Sequence, residues 1–212
     1  MKTVAIVGAS GYVGGELLRL LLMHPEVEVK VATSQQHAGE HVFKTHPNLK
    51  GFTSLTFSKN TPEEAASKVD IVFMAVPHGS SIEHVPRISE MGVKIVDMSA
   101  DFRFRNPADY PVWYGWEHPA PDLLQKFVYG MPELHRKELK VARFISVPGC
   151  IASSSIYSIA PLAKAGFLEK VRGWMLPAIP DWIICLVPKP EIRTHIYNLH
   201  SHFRHFRNMF NG

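Results

Sequence analysis

The chain has 212 residues, 46% hydrophobic and 20% charged, with a formal net charge of +4 and a pI near 9.1. That length buries a substantial core in one large domain or two small ones, and no apolar run reaches the ~18 residues of a membrane span. The mild positive charge suits anionic small ligands and is too dispersed to indicate nucleic acid.

Met1-Lys2-Thr3 leads straight into Val4-Ala5-Ile6-Val7, an apolar run expected of a strand buried on both faces. Without a basic region and apolar block before it, no signal peptide and a cytoplasmic address are expected. Gly8 to Gly15 follow, then a helix over Glu16–Met23 whose stripe is Val13, Leu17, Leu20 and Leu21, stopped by His24-Pro25. Val27–Ala32 is a second strand. Residues 34 to 62 are polar and irregular, with one weak strand expected around Leu55–Phe57. Thr61-Pro62 caps a short helix over Glu63–Lys68. Asp70–Val76 is a buried strand, Ser80–Met91 a helix and Val93–Met98 the next strand. Asp101–Pro121 is loop-like, Arg143–Val147 a strand, and Cys150–Ala165 a helix broken or bent at Pro161. Strands separated by helices in this order predict an α/β fold with a doubly wound, Rossmann-type parallel sheet. The last 40 residues leave that rhythm, with prolines at 177, 180, 188 and 190 and histidines at 195, 200, 202 and 205.

Gly8-x-x-Gly11-x-x-Gly14 lies after a buried strand and opens a helix, where a dinucleotide loop belongs. The first glycine permits the turn, the second admits the pyrophosphate, and the third lets the helix pack on the sheet. The helix N-terminus adds N–H donors and a positive dipole end for the phosphates. An NAD site places Asp or Glu about 20 residues further on to hold the ribose 2′-hydroxyl. Here Thr33-Ser34-Gln35-Gln36-His37 has no carboxylate, which favours NADP.

Cys150 follows a strand and Pro148-Gly149 and opens a helix. Unpaired N–H groups at such a position stabilise a thiolate, whereas free cysteine is also among the most buried residue types. Its position alone leaves nucleophile and core residue open, and the nicotinamide loop tips the balance to a nucleophile. Hydride cofactor plus thiol suggests aldehyde or acyl-phosphate chemistry, the latter through a thioester. Cys150 and Cys185 are the only cysteines, too few for a disulfide framework. His200-x-His202-x-x-His205 lacks a matching Cys or carboxylate pair, so no metal site is expected.

Five strings occur in order: Gly8-Ala-Ser-Gly-Tyr-Val-Gly14, Val72-Phe-Met-Ala-Val-Pro-His-Gly-Ser80, Val96-Asp-Met-Ser-Ala-Asp-Phe-Arg103, Tyr129-Gly-Met-Pro-Glu-Leu134 and Val147-Pro-Gly-Cys150. Together they resemble N-acetyl-gamma-glutamyl-phosphate reductase, the NADP-dependent enzyme family of arginine biosynthesis. The Val-Pro-Gly-Cys form most resembles its archaeal branch, which reduces glutamyl or aminoadipyl phosphates attached to an amino-group carrier protein for arginine and lysine synthesis. The resemblance implies a cytoplasmic enzyme that is a homo-oligomer in the intact family, with no nucleic acid or membrane partner. It implies Cys150 as nucleophile, Ser10, Gly11, Tyr12 and Val13 with Gly8 and Gly14 as the phosphate loop, and Ser34, Gln35 and Gln36 as the 2′-phosphate segment. Many members carry Arg where Gln35 stands. Pro77, His78 and Gly79 would line the nicotinamide side, His78 reading more simply as a loop histidine with a backbone partner. Asp97, Asp101 and Arg103 would order the site as a loop network.

The resemblance covers roughly residues 1 to 172. The implied domains are an NADP-binding domain over 1–149, the start of a catalytic domain over 150–172, and an incomplete, atypical tail over 173–212 that is a candidate for poor order. The abrupt change in composition there reads as a truncation or frameshift. Aspartate-semialdehyde dehydrogenase shares the chemistry but fits the Ser-Ala-Asp-Phe-Arg and Pro-Gly-Cys strings less well. Short-chain reductases need Tyr-x-x-x-Lys, and no tyrosine here has Lys four residues on. A non-catalytic NADP-binding remnant is the third reading.

Overall fold

The computed structural model describes residues 1–166 and, beyond them, the backbone of three strands. In chain order the elements are β1 (Lys2–Val7), α1 (Tyr12–Leu22), β2 (Val27–Ala32), α2 (Val42–Thr45), a 3-10 turn at Pro47–Leu49, α3 (Pro62–Ala66), β3 (Ile71–Met74), α4 (Ser81–Glu90) and β4 (Lys94–Asp97). There follow α5 (Asp109–Trp113), α6 (Pro121–Leu124), β5 (Phe127–Tyr129), α7 (Pro132–Val141), β6 (Phe144–Ser146), α8 (Cys150–Lys164), β7 (Trp174–Ala178), β8 (Trp182–Leu186) and β9 (Thr194–Asn198). They fall into two compact units, residues 1–107 with 118–148, and residues 108–117 with 149–212.

The first unit is built on a six-stranded, wholly parallel sheet in the order β2-β1-β3-β4-β6-β5. Val4 to Val7 are buried along β1, as a central strand covered on both faces requires. The chain leaves β1 for β2 on one side and crosses back to β3 on the other, so strand order reverses beside the carboxyl end of β1. Ligands of open α/β sheets bind at such a reversal. One core cluster, Ile6, Ala9, Leu18, Ala32, Val42, Leu49 and Phe57, joins the loop after β1 to residues 42–57.

That cluster corrects the reading of residues 34 to 62 as an irregular excursion. Val42, Leu49 and Phe57 anchor it in the core, α2 and the 3-10 turn order its middle, and the expected strand around Leu55–Phe57 reduces to single bridges, Thr33 with Ser58 and His41 with Thr56. The capping box of α3 is formed, Thr61 Oγ1 accepting from Glu64 N–H while the Glu64 carboxylate accepts from Thr61 N–H. α1 begins at Tyr12, earlier than the apolar stripe indicates, and α8 runs as one helix through Pro161 rather than breaking there. Asp101–Pro121 contains α5, and β5 and α7 lie where no element is predicted from the sequence. β5 is only three residues long, too short for a periodicity to show. It is held by the Phe127 ring, which stacks on Phe102 at 4.4 Å and on Phe144 at 5.5 Å between centroids.

In the second unit α5 and the residues after it gather Tyr110, Tyr114 and Trp116, with Tyr110 and Trp116 ring centroids 4.8 Å apart. β7, β8 and β9 pair antiparallel in chain order. The remainder of the expected 173–212 tail, with His200, His202 and His205, lies outside the described residues.

Phe127→Ala should lower the unfolding free energy by about 3–5 kcal/mol, read as a reduced midpoint in urea titration, because Phe127 is 2% exposed.

Candidate functional site

The glycine loop turns because two of its glycines face backbone. Gly8 has φ +80°, and a Cβ there would overlap the Ala75 carbonyl oxygen. A Cβ on Gly14 would overlap the Gly8 carbonyl oxygen and stand 2.6 Å from Ala9 Cα, so helix α1 can start close against the loop only with glycine at this position. Gly11, the residue before α1, supplies no side-chain cap, and the first N–H groups of any helix lack intrahelical acceptors. Tyr12 and Val13 are exposed beside them. Residues 8 to 14 therefore fit a pyrophosphate: backbone donors at a positive helix end, with no side chain of the loop's own occupying them.

The loop's inward polar groups are satisfied by the protein. Gly8 N–H donates to Thr33 Oγ1 at 3.2 Å and Ala9 N–H to the Thr33 carbonyl at 2.9 Å. Ser34 Oγ donates to Ser10 Oγ at 2.9 Å and accepts from His37 N–H at 3.2 Å. The structure thus brings Ser10 and Ser34 together and buries Ser34, while Gln35 and Gln36 stand exposed at the same end of β2. The end of β2 thus offers hydroxyl and amide groups, and no carboxylate stands among residues 33 to 37.

A second polar cluster lies at the carboxyl ends of β3 and β4. Asp97 and Asp101 are both fully buried. Asp97 accepts from Ser81 Oγ at 2.6 Å, Ser99 Oγ at 2.8 Å and Ser99 N–H at 3.1 Å. Burial outweighs these bonds and pushes its carboxyl up to about 6. Asp101 accepts from Gly79 N–H at 2.8 Å and Ile82 N–H at 3.2 Å, so its carboxylate caps the N-terminus of α4. Arg103 donates from Nε to the Val147 carbonyl at 2.8 Å and from Nη2 to the Met98 carbonyl at 3.0 Å, tying the loop after β4 to the end of β6.

Pro77, His78 and Gly79 are exposed on the turn that this network holds. His78 Nδ1 accepts from Ala100 N–H at 2.9 Å, which places the ring proton on Nε2. Ring desolvation and then the Arg103 charge keep His78 below the usual histidine range. His118 is locked in the same tautomer, Nδ1 accepting from Ala120 N–H and Nε2 donating to the Asp101 carbonyl at 2.8 Å, and burial lowers it too. The supporting roles of Thr33 and His118 have no local sequence signal, since each depends on a partner brought near by the fold. Cys150 is the first residue of α8, four residues beyond the end of β6, and is a free, exposed thiol. Among the described residues no group of three His, Cys, Asp or Glu is placed to hold a metal ion, and no helix is long and apolar enough to cross a membrane.

Residues 3–142 match the family model described as semialdehyde dehydrogenase, NAD binding domain. The chain belongs to this family. A LysW-L-2-aminoadipate/LysW-L-glutamate phosphate reductase from Sulfurisphaera tokodaii is 50% identical over 172 residues, 81% of this chain and 49% of the relative. A protein from Picrophilus torridus that bears the same name provisionally is 57% identical over 160 residues, 76% of this chain and 46% of the relative. The chain thus spans about half the length of the curated relatives it matches. Aspartate semialdehyde dehydrogenase II from Vibrio cholerae superposes with a TM-score of 0.54 at 23% identity, over 78% of this chain and 47% of that one. The Francisella tularensis aspartate semialdehyde dehydrogenase gives 0.57 at 16%, over 84% and 45%. At these identities the two structures share the fold.

The unfolded chain ionises Asp near 3.9, so between that value and about 6 folded Asp97 keeps a proton that the unfolded chain has lost. Its contribution should make stability fall as pH rises through this window and level off above it. The urea midpoint of wild type minus that of Asp97→Asn should therefore decline from pH ~4 to ~6 and then stay flat.

Proposed function

We propose that this chain is the cofactor-binding and nucleophile-bearing part of an NADPH-dependent reductase. Its substrate is a carrier-linked glutamyl or aminoadipyl phosphate, reduced to the semialdehyde in lysine and arginine biosynthesis. One observation carries the reading: an exposed cysteine opens α8 four residues after the end of β6, in a chain 50–57% identical to proteins named as such phosphate reductases. The relatives' names favour a LysW-linked substrate over free N-acetyl-glutamyl phosphate. The absence of a carboxylate at Thr33–Gln36 favours NADP over NAD.

When bound, the nicotinamide supplies a hydride. The Cys150 thiolate attacks the acyl carbon, the carbon–oxygen bond to phosphate breaks, and a thioester forms. The departing phosphate takes up the one proton that the overall reaction consumes. A hydride from a bound nicotinamide would reduce the Cys150 thioester to a hemithioacetal oxyanion. Its collapse breaks the carbon–sulfur bond, releases the aldehyde and returns the thiolate. The glycine loop and the Ser10–Ser34 pair bind and orient, and the Asp101–Gly79 and His78–Ala100 bonds hold the turn at residues 77–79.

The assay is phosphate-dependent oxidation of the carrier-linked semialdehyde with NADP, on wild type and Cys150→Ser. Wild-type turnover that the substitution abolishes, with NADP binding retained, is the expected result. NADP binding without turnover in either protein, or turnover that survives the substitution, contradicts the proposal.

A further inference from the structure

The glycine loop is braced from below by a residue that no part of the reaction scheme uses. His46 lies between α2 and the 3-10 turn, and its own backbone is fixed on both sides. Its N–H donates to the Val42 carbonyl at 2.9 Å, its carbonyl accepts from Leu49 N–H at 2.9 Å, and Pro47 follows it. The side-chain flanks, Val42 and Leu49, sit in the same core cluster as Ala9 and Leu18. The ring meets Phe57 edge-on at 6.3 Å. Its Nε2 lies 2.9 Å from the Ala9 carbonyl oxygen, across 37 positions of sequence, and because that oxygen only accepts, the ring proton is on Nε2. The ring lies against Gly15: a Cβ there would come within 2.5 Å of Nδ1 and 2.9 Å of Nε2. Glycine at position 15 is thus what admits the imidazole beneath α1.

The consequence follows from peptide geometry. In a trans peptide the carbonyl and the next N–H point in opposite directions, and the structure contains no cis peptide among the described residues. Holding Ala9 O toward His46 therefore turns Ser10 N–H to the opposite side. Ala9 N–H is held by the Thr33 carbonyl at 2.9 Å, so the peptides on both sides of Ala9 are fixed.

We propose that His46 is a positioning residue for the dinucleotide phosphates: through Nε2–H to Ala9 O and its packing on Gly15, it aims the Ser10 amide and fixes the start of α1. This rests on the reading of residues 8–14 as the cofactor loop.

The test is a fluorescence titration of NADPH on the 212-residue chain and on His46→Gln, His46→Asn and Gly15→Ala, each checked for folding by circular dichroism. A Gln amide can reach where Nε2 stands, while an Asn amide reaches only as far as Nδ1. Losing one hydrogen bond that orients the loop should weaken NADPH about tenfold in His46→Asn, and His46→Gln should stay within about threefold of wild type. Gly15→Ala, which displaces the ring from the helix side, should match the Asn variant and carries the test if that variant fails to fold. Wild-type affinity in a folded Asn or Ala variant, or equal loss in the Gln and Asn variants, overturns the role of His46. Absence of NADPH binding by wild type overturns the cofactor reading itself, and the proposal with it.

Discussion

The close approach of backbone to backbone around Gly8 and Gly14 is the constraint on which the site depends. A side chain at either position would meet a carbonyl oxygen or a Cα rather than a movable group. The turn after β1 would then open, and α1 could not begin against the loop. The side chains packed around this loop serve that turn. Thr33 takes the two inward N–H groups of Gly8 and Ala9, Ser34 meets Ser10, and His46 holds the Ala9 carbonyl. With the inward groups satisfied, the outward donors of the helix start remain for an anion.

The carboxyl ends of β3 and β4 solve a different problem. Two buried carboxylates, Asp97 and Asp101, replace water as acceptors for α4 and for the loop after β4. The protein bears the cost of burying Asp97, visible in its raised pKa, and gains a fixed path for residues 77–79 and 98–103. Arg103 extends that path to Val147, at the end of β6. Short loops braced in this manner are less free to adopt alternative conformations than loops whose backbone groups face solvent.

Much of this was legible in the residues. The runs at Val4–Val7 and Asp70–Val76 read as buried strands, the second formed over Ile71–Met74, and the glycine spacing marked the turn between strand and helix. The Thr61-Pro62 cap of α3 read correctly because it is local, while the reciprocal bond from Glu64 came from the structure. Features that depend on distant partners did not read. β5 is held by Phe102 and Phe144 stacking on Phe127, not by a pattern of its own. Residues 34 to 62 looked polar because only a few positions, among them Val42, Leu49 and Phe57, reach the core. His46 stood out from the other eleven histidines only once Ala9 and Gly15 were placed beside it. The five strings carried more than periodicity could, since together they resemble one family from the glycine loop to Cys150.

The central claim is that the glycine loop and the end of β2 select a dinucleotide bearing a 2′-phosphate. Calorimetric titration of the chain with NADPH and with NADH, at one salt concentration, tests it most directly. The account predicts saturable binding of NADPH that is clearly tighter than that of NADH. Equal or tighter binding of NADH, or no heat from either, would contradict it.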